Sequence, residues 1–206
     1  NLCTEILQVQ EPSVINGKQE YEVLGTDISC NLGSTNIVNL MDSPDFGKSV
    51  RAMTRALTFV TDASDIDVVP SIQNGNALNH TIGLGAMGLH TYFAKNQMEY
   101  GSPESLEFTD LYFMLLNYWT LVESNNIAKE RGEVFHNFEK SAYADGSYFT
   151  DYITGDYQPK SDKIKALFDG VFIPSGEDWA ALAEAVKKDG LYHQNRLAVA
   201  PNGSIS

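Results

Sequence analysis

The sequence has few cysteines and no long apolar run, and both absences limit what the protein can be. Only Cys3 and Cys30 occur among its 206 residues, too few for a disulfide scaffold, so a reducing cytoplasm is the expected location. No stretch of about 18 apolar residues and no signal peptide is present, as is typical of a soluble chain. No cluster of Lys or Arg interrupts a net charge of -13. Nucleic acid and anionic membranes are therefore not expected as main partners.

Metal-ligand spacing is absent as well. The four histidines, His80, His90, His136 and His193, lie far apart in the sequence, and so do the two cysteines. Zinc sites use closely spaced pairs of such ligands, so the sequence predicts no metal site.

What is present indicates a folded chain. Apolar residues make up 43% and aromatic residues 11% of the sequence, enough to build a core. We expect one domain, since no linker, repeat or low-complexity segment divides the chain. Neither Asn1 at the start nor Ser206 after its Gly-Ser turn resembles a natural terminus, so we expect the chain to be part of a longer one.

Periodicity and capping residues predict an α/β chain rich in helix. Residues 1–40 read as strand, hairpin and strand, with a turn at Asn16-Gly17 and an apolar run into Cys30. Helices are predicted over 44–62 (capped by Ser43, with Pro44 at its first position), about 85–96, from Ser102-Pro103 to Gly132, and from Ser175 to Gly190. A buried strand is predicted over 196–200, and only short helices over 133–174.

The stretch Gly83-Leu-Gly85-Ala-Met-Gly88 matches the G-x-G-x-x-G dinucleotide fingerprint. That fingerprint needs an apolar strand directly before it and an acidic residue ending a second strand about 20 positions later. Only Ile82 is apolar before Gly83, and the acids near the required offset begin a helix. We interpret the glycines as close-packing positions in a helix, and we reject a dinucleotide site.

The first five residues carry an amide, a thiol and a carboxylate at alternating positions, Asn1, Cys3 and Glu5. In an extended segment these side chains point the same way and converge on one spot. A hydrogen-bonding group, a sulfur nucleophile or radical carrier, and a proton acceptor together suit substrate chemistry. From the spacing alone, the alternative is a cluster without function.

Two further stretches carry candidate chemistry. Pro201-Asn-Gly-Ser-Ile-Ser206 follows a predicted strand, and its small residues and hydroxyl groups could bind phosphate; a plain surface turn fits equally well. Cys30 alone reads as an inert buried cysteine, and it gains interest only as a second thiol for Cys3.

Together these stretches resemble the large catalytic subunit of ribonucleotide reductase, in the order and separations of the aerobic class Ib type. The resemblance covers essentially the whole chain. The matching motifs are Asn1-Leu-Cys3-Thr-Glu5, Ile28-Ser-Cys30-Asn-Leu-Gly-Ser34, Gly83-Leu-Gly-Ala-Met-Gly-Leu-His90, Tyr100-Gly-Ser-Pro-Glu104 and Pro201-Asn-Gly-Ser-Ile-Ser206. It implies a ten-stranded α/β barrel of two five-stranded halves, of which this chain holds the finger loop and much of the second half. Such a part is expected to lack a closed core.

The resemblance also implies roles for particular residues. Cys3 would become a thiyl radical that takes the ribose 3′ hydrogen, Glu5 would be the base towards the 3′ hydroxyl, and Asn1 would bind ribose hydroxyls. Cys30 would be half of a reducing dithiol whose partner lies upstream. The substrate diphosphate would be bound by the terminal loop, Pro201, Asn202, Gly203, Ser204, Ile205 and Ser206. Asn202 stands where the family commonly has a hydroxyl residue, which leaves its role open.

The implied substrate is a ribonucleoside diphosphate, reduced to the 2′-deoxyribonucleotide. Implied partners are a small subunit that supplies the radical from a dinuclear iron or manganese centre with a tyrosyl radical, a glutaredoxin- or thioredoxin-like thiol reductant, and a second large subunit. No cofactor is expected on this chain itself, and residues 1–206 alone are expected to be inactive. The alternative is a non-catalytic binding or structural domain; a cysteine hydrolase, which needs a histidine beside Cys3, is a more distant one.

Overall fold

The computed structural model describes residues 6–202 and residue 205, which form an α/β structure rich in helix. The strands are β1 (Val14–Ile15), β2 (Tyr21–Val23), β3 (Asn31–Asn36) and β4 (Ile82–Met87). The α-helices are α1 (Ile37–Met41), α2 (Phe46–Ala63), α3 (Pro70–Asn79), α4 (Leu89–Lys95), α5 (Pro103–Arg131), α6 (Thr150–Thr154), α7 (Asp162–Leu167) and α8 (Gly176–Asp189). Two 3₁₀ turns cover Phe138–Lys140 and Ser147–Phe149.

Strands β3 and β4 form a parallel pair that is central to the fold. Asn31 pairs with Ile82 and Asn36 with Met87, without a shift in register. Residues 195–198 run along the other side of β4, where Ile82 and Leu84 donate to the carbonyls of Asn195 and Arg196 at 3.0 and 2.8 Å. The predicted strand over 196–200 is thus an extended segment that makes one parallel bridge, at Leu197. The edge of this segment that faces away from β4 has no strand partner among the described residues. The sheet therefore does not extend beyond the segment.

Helix α2 packs against both strands of this sheet, α5 packs against α2, and α8 packs against α5. The core between these layers contains aromatic side chains that are almost fully buried, such as Phe108 and Tyr112 of α5 and Trp179 of α8. The aromatic residues of α5 therefore serve core packing. The described residues form no closed barrel, and the buried core lies in the helical layer beside the sheet.

The longest helix confirms the sequence prediction at both ends. The side chain of Ser102 accepts from the amide of Ser105, Pro103 follows, and Gly132 closes the helix with a left-handed φ of 67°. Helix α8 is likewise capped by Ser175 and ends before Gly190. Capping residues are local signals, so the ends of these two helices could be predicted from the sequence.

Three predicted features are wrong in detail, and one helix was not predicted. Asp45, not Ser43, caps α2, because its carboxylate accepts from the amide of Lys48 at 2.8 Å. The apolar run into Cys30 ends just before β3 instead of forming it. Residues 82–87 are strand, and the helix predicted over 85–96 begins only at Leu89. Helix α3 was not predicted, and it lacks a side-chain cap.

The hairpin predicted in the first 40 residues is confirmed as the antiparallel pair β1 and β2. The Asn16 carboxamide oxygen accepts from the amides of Lys18 and Glu20 and so closes the turn. No helix in the described part of the chain is long and apolar enough to cross a membrane.

Candidate active site

Strand β3 divides the molecule into two faces. On one face, Asn31 donates to the hydroxyl of Thr61 in α2 at 3.0 Å, and Thr35 is hydrogen-bonded to the Tyr112 hydroxyl of α5 at 2.7 Å. Because side chains alternate along a strand, Leu32 and Ser34 point away from the helices. We call this opposite side the inner face; it consists of Cys30, Leu32 and Ser34 with Gly83, Gly85, Ala198 and Ala200.

Two glycines of β4 make room on the inner face. A Cβ atom on Gly83 would lie 2.9 Å from Sγ of Cys30 and 2.6 Å from the Leu32 side chain. A Cβ atom on Gly85 would lie 2.1 Å from the carbonyl oxygen of Ala198, a distance no real pair of atoms could hold. The predicted close packing at these glycines is therefore correct, but it occurs in a parallel strand and not in a helix. The structure does not support a dinucleotide site either. That fingerprint needs its glycines in the turn that follows a strand, whereas Gly83 and Gly85 lie inside β4.

The end of the chain reaches the same face. The Asn202 side chain accepts from the Ser34 hydroxyl at 2.9 Å and donates to the carbonyl of Ala86 at 3.2 Å. A pocket of about 190 Å³ opens there. Its lining residues are Leu32, Gly33, Ser34, Ala200, Pro201, Asn202 and Ile205. None of these is charged, so an anionic group in the pocket would depend on hydrogen-bond donors.

The segment that leads to Asn202 is anchored on the side of the helices. Arg196 is buried, with its guanidinium 5.1 Å over the ring of Tyr143 and hydrogen-bonded to Asn117. Burial opposes its charge, but Tyr143 and Tyr148 outweigh that effect and raise the pKa of Arg196. The charge is thus kept without a carboxylate partner among the described residues.

A buried histidine fixes the start of the same segment. The ring nitrogens of His193 lie 2.9 Å from the hydroxyls of Ser124 in α5 and Thr58 in α2. Burial, with smaller contributions from Arg196 and other nearby groups, holds the pKa of His193 well below its usual value. A neutral imidazole bonded on both sides is a structural element here and does not face the pocket.

The predicted site residues fall into two groups. Cys30, Asn202 and the rest of the described terminal residues lie on the inner face, with Pro201 and Ile205 in the pocket lining. Asn1, Cys3, Glu5, Gly203, Ser204 and Ser206 lie outside the described residues. Sequence reasoning missed Ser34 as a partner of Asn202; the alternation of Cys30, Leu32 and Ser34 along one strand was the signal that could have found it. It also missed Arg196, which no motif marks.

No group of three or more His, Cys, Asp or Glu side chains in the described ranges could hold a metal ion. Sulfur and hydrogen-bonding groups are therefore what the described part of the inner face offers. Those groups suit thiol chemistry on a ligand bound at the ends of β3 and β4.

The chain belongs to the ribonucleotide reductase barrel-domain family, whose model matches residues 1–206. It is 45% identical over 206 residues to the ribonucleoside-diphosphate reductase subunit alpha of Bacillus subtilis (strain 168), covering 100% of this chain and 29% of that protein. The protein of the same name from Mycoplasma pneumoniae is 44% identical over 212 residues, again covering 100% of this chain and 29% of the relative. The one from Helicobacter pylori is 31% identical over 94% of this chain. The chain thus spans less than a third of the length of these relatives.

Proposed function

We propose that the chain is the catalytic barrel segment of a class Ib ribonucleoside-diphosphate reductase large subunit. The observation that carries the proposal is the shared inner face: Cys30 lies at its amino end, and Pro201 and Asn202, where the terminal loop begins, lie at its carboxyl end. Family membership and relatives named ribonucleoside-diphosphate reductase subunit alpha support the same reaction. The substrate would be a ribonucleoside diphosphate and the product its 2′-deoxy form.

The dimensions of the inner face fit such a substrate. Ser34, which contacts Asn202, follows Cys30 by four residues of extended chain, or about 13 Å. A thiol at one end and a phosphate-binding loop at the other would leave room between them for a ribose. The glycines of β4 let Cys30, Leu32 and Ala198 pack directly against that strand.

The residue roles are those that the resemblance to ribonucleotide reductase implies. A thiyl radical on Cys3 removes the 3′ hydrogen atom, Glu5 takes the proton of the 3′ hydroxyl, and Asn1 binds the ribose hydroxyls. The 2′ hydroxyl then leaves as water with a proton from the dithiol. Cys30 and its partner thiol become a disulfide, so two electrons and two protons pass to the ribose and the departing water. Glu5 finally returns its proton to the 3′ oxygen and Cys3 returns the 3′ hydrogen, so the radical on Cys3 reforms.

The diphosphate would be bound at the carboxyl ends of β3 and β4 by the terminal loop, residues 201–206. Backbone N–H groups and the hydroxyls of Ser204 and Ser206 would supply the donors, as in other anion-binding loops. The absence of charged side chains in the described pocket lining supports binding by N–H groups.

We place this segment in a ten-stranded barrel as one domain, with residues 1–206 holding the finger loop and much of the second half. The inner face is open in the described residues, and another set of strands would cover it. A radical-supplying small subunit with an iron or manganese centre, a second large subunit and a glutaredoxin- or thioredoxin-like reductant would complete a cytoplasmic enzyme. Without them, residues 1–206 have no turnover.

The test is Cys3→Ser in the full-length protein, assayed with its small subunit and a dithiol reductant. We expect deoxynucleotide formation to vanish while the affinity for cytidine diphosphate stays within about twofold of wild type, since the change alters one atom. Wild-type-like reduction would remove the radical role and favour a non-catalytic domain. A histidine within hydrogen-bond reach of Cys3, together with an esterase activity, would favour a hydrolase instead.

A further inference from the structure

Both neighbours of Cys30 are hydrogen-bonded to the helical layer. On one side of it, the Ser29 hydroxyl donates to the carboxamide oxygen of Asn76 in α3 at 3.0 Å. On the other side, the Asn31 side chain donates to the hydroxyl of Thr61 in α2 at 3.0 Å. The sulfur of Cys30 itself lies on the inner face. Two bonds to the helices therefore hold the main chain on either side of a thiol that points the other way.

These two anchors are joined to each other. The side-chain nitrogen of Asn76 donates to the carbonyl of Thr61 at 2.9 Å, so one amide holds Ser29 through its oxygen and α2 through its nitrogen. Asn76 is 5% exposed and Thr61 is fully buried, which shields their hydrogen bonds from competing water. The bonds form a continuous path behind Cys30, through Ser29, Asn76, Thr61 and Asn31.

The ladder between β3 and β4 begins just after Cys30. Its first pair is Asn31 with Ile82, so Ser29 and Cys30 precede the part of the strand that the ladder fixes. Ser29 is held by side chains instead, because its carbonyl also accepts from the Gln8 side chain at 2.8 Å. The main chain at Cys30 therefore depends on such side-chain bonds for its position.

A redox pair of thiols needs fixed positions. A disulfide forms without strain only when its two Cβ atoms stand about 3.5–4.5 Å apart, so each thiol must be held within a narrow range before the bond closes. Groups that are held in place react as if their concentration were very high. A thiol on a loosely held main chain would form a less stable disulfide, and would form it more slowly.

We propose that Asn76 and Thr61 are positioning residues that hold the main chain on both sides of Cys30, so that its thiol is presented to the partner thiol of the reducing pair. This inference rests on the proposed function and deepens it. It assigns a part in the redox step to two buried residues of α2 and α3, neither of which lines the pocket beside Asn202.

The experiment compares Thr61→Val, Asn76→Ala and Ser29→Ala with the wild type in the full-length protein. Thr61→Val removes the acceptor of Asn31 and keeps the shape of the side chain. Ser29→Ala removes the Asn76 anchor from its other end and leaves the bond between α2 and α3 intact, so it serves as the test if Asn76→Ala does not fold.

The first readout is the fraction of Cys30 in a disulfide, measured by peptide mass spectrometry after equilibration with reduced and oxidised glutathione. Two molecules of glutathione reduce the disulfide to two thiols and become glutathione disulfide. We expect the Cys30 disulfide of each variant to be half reduced at a glutathione ratio (GSH squared over GSSG) about tenfold lower than in the wild type, the size of one lost hydrogen bond.

The second readout is the reduction of cytidine diphosphate with the small subunit and a dithiol reductant. We expect kcat to fall about tenfold while KM stays within about twofold, because the change affects a reacting thiol and not the pocket for the substrate. Thr61→Ser keeps the hydroxyl, and should return both the glutathione ratio and kcat to within about twofold of the wild type.

Tyr112→Phe is the matched control. It removes a buried hydroxyl that is bonded to Thr35 on the same side of β3, so it should lower the urea midpoint about as much as Thr61→Val does and leave the glutathione ratio and kcat unchanged. An equal shift of the ratio in both variants would show that any loosening of the helical layer has this effect, and would overturn the inference.

Wild-type glutathione ratios in Thr61→Val and Ser29→Ala would overturn the inference as well. The proposed function fails by a different result. If Cys30 of the wild-type protein forms no disulfide at any glutathione ratio, the reducing pair itself is refuted, and the positioning role with it.

Discussion

The two faces of β3 differ in almost every physical property. On the side of the helices, Asn31 and Thr35 are bonded to side chains of α2 and α5, and the layer behind them is filled with buried aromatic rings. On the inner face, Leu32 is 45% exposed and two glycines replace side chains on β4. One strand therefore carries a packed face and an open face.

The difference separates stability from chemistry. Burial of apolar and aromatic side chains between the sheet, α2 and α5 stabilises the fold, whereas on the inner face glycines let Cys30, Leu32 and Ala198 lie close to β4. Apart from the bonds that hold the neighbours of Cys30, changes on the packed face should lower stability and leave the chemistry of a folded molecule intact. Changes on the inner face should lower turnover more than they lower stability.

The largest loss of stability is expected for Phe108→Ala. This ring is fully buried in α5 and stacks 4.4 Å from Tyr92, so its removal should cost about 3–5 kcal/mol. Urea unfolding of the full-length protein measures it. Leu106→Ala on the same helix is the control; its side chain is 58% exposed, and a loss below about 1 kcal/mol is expected. Equal losses would show that the packed face is not where stability lies.

An intermediate effect is expected for Gly83→Ala on the inner face. The new methyl group would press on Cys30, Leu32 and Ala198, at a cost of about 1–3 kcal/mol. Turnover should fall further than stability, because the Cys30 thiol must move. Gly17→Ala, which meets nothing within 4 Å, should change neither quantity. If Gly83→Ala kept full turnover, the close packing of Cys30 against Gly83 would have no function.

Acid should weaken the packed face through His193. Burial lowers the pKa of this imidazole in the fold, so below pH of about 6.5 the unfolded chain binds a proton that the folded chain does not. Stability is therefore complete above that pH and falls below it by up to about 1.4 kcal/mol per pH unit. Unfolding between pH 5 and 7 should show a smaller slope in His193→Gln.

His90→Gln, at an exposed position, should keep the wild-type slope. Some slope remains in the His193 variant, because burial lowers the pKa of His80 as well. Identical slopes in all three proteins would contradict a neutral His193 in the folded state.

The smallest effect is expected on the outer surface. Lys95 contacts Asp42 at 2.9 Å with both side chains more than half exposed, and such pairs contribute little in water. Thermal unfolding of Lys95→Ala should give a loss below about 1 kcal/mol, reduced further by salt. A larger loss of stability would show that this surface ion pair contributes to the fold as much as buried side chains do.

Much of the helical layer could be predicted from the sequence, because its signals are local. Ser102, Pro103 and Gly132 mark the ends of α5 through contacts within one or two turns. The error at 82–87 has the opposite cause. A buried parallel strand has no alternating pattern, and glycines at 83 and 85 hid its apolar character; only the neighbouring strands reveal why small residues are required.

The site residues stay a prediction from motif resemblance, which groups Cys30 with the terminal loop. Among the described residues, Cys30 and Asn202 lie on the same face of β3. The contact between Ser34 and Asn202 joins residues far apart in the sequence, and no spacing rule gives it. The buried Arg196 is likewise understandable only from the tyrosines that surround it in the fold.

The most direct test of the account is Cys30→Ser in the full-length protein, assayed with its small subunit and a dithiol reductant. If the inner face carries the redox chemistry, deoxycytidine diphosphate formation falls to background while the Kd of cytidine diphosphate and the urea midpoint stay at wild-type values. Reduction at the wild-type rate would contradict the assignment of Cys30 and, with it, the division of labour between the two faces of β3.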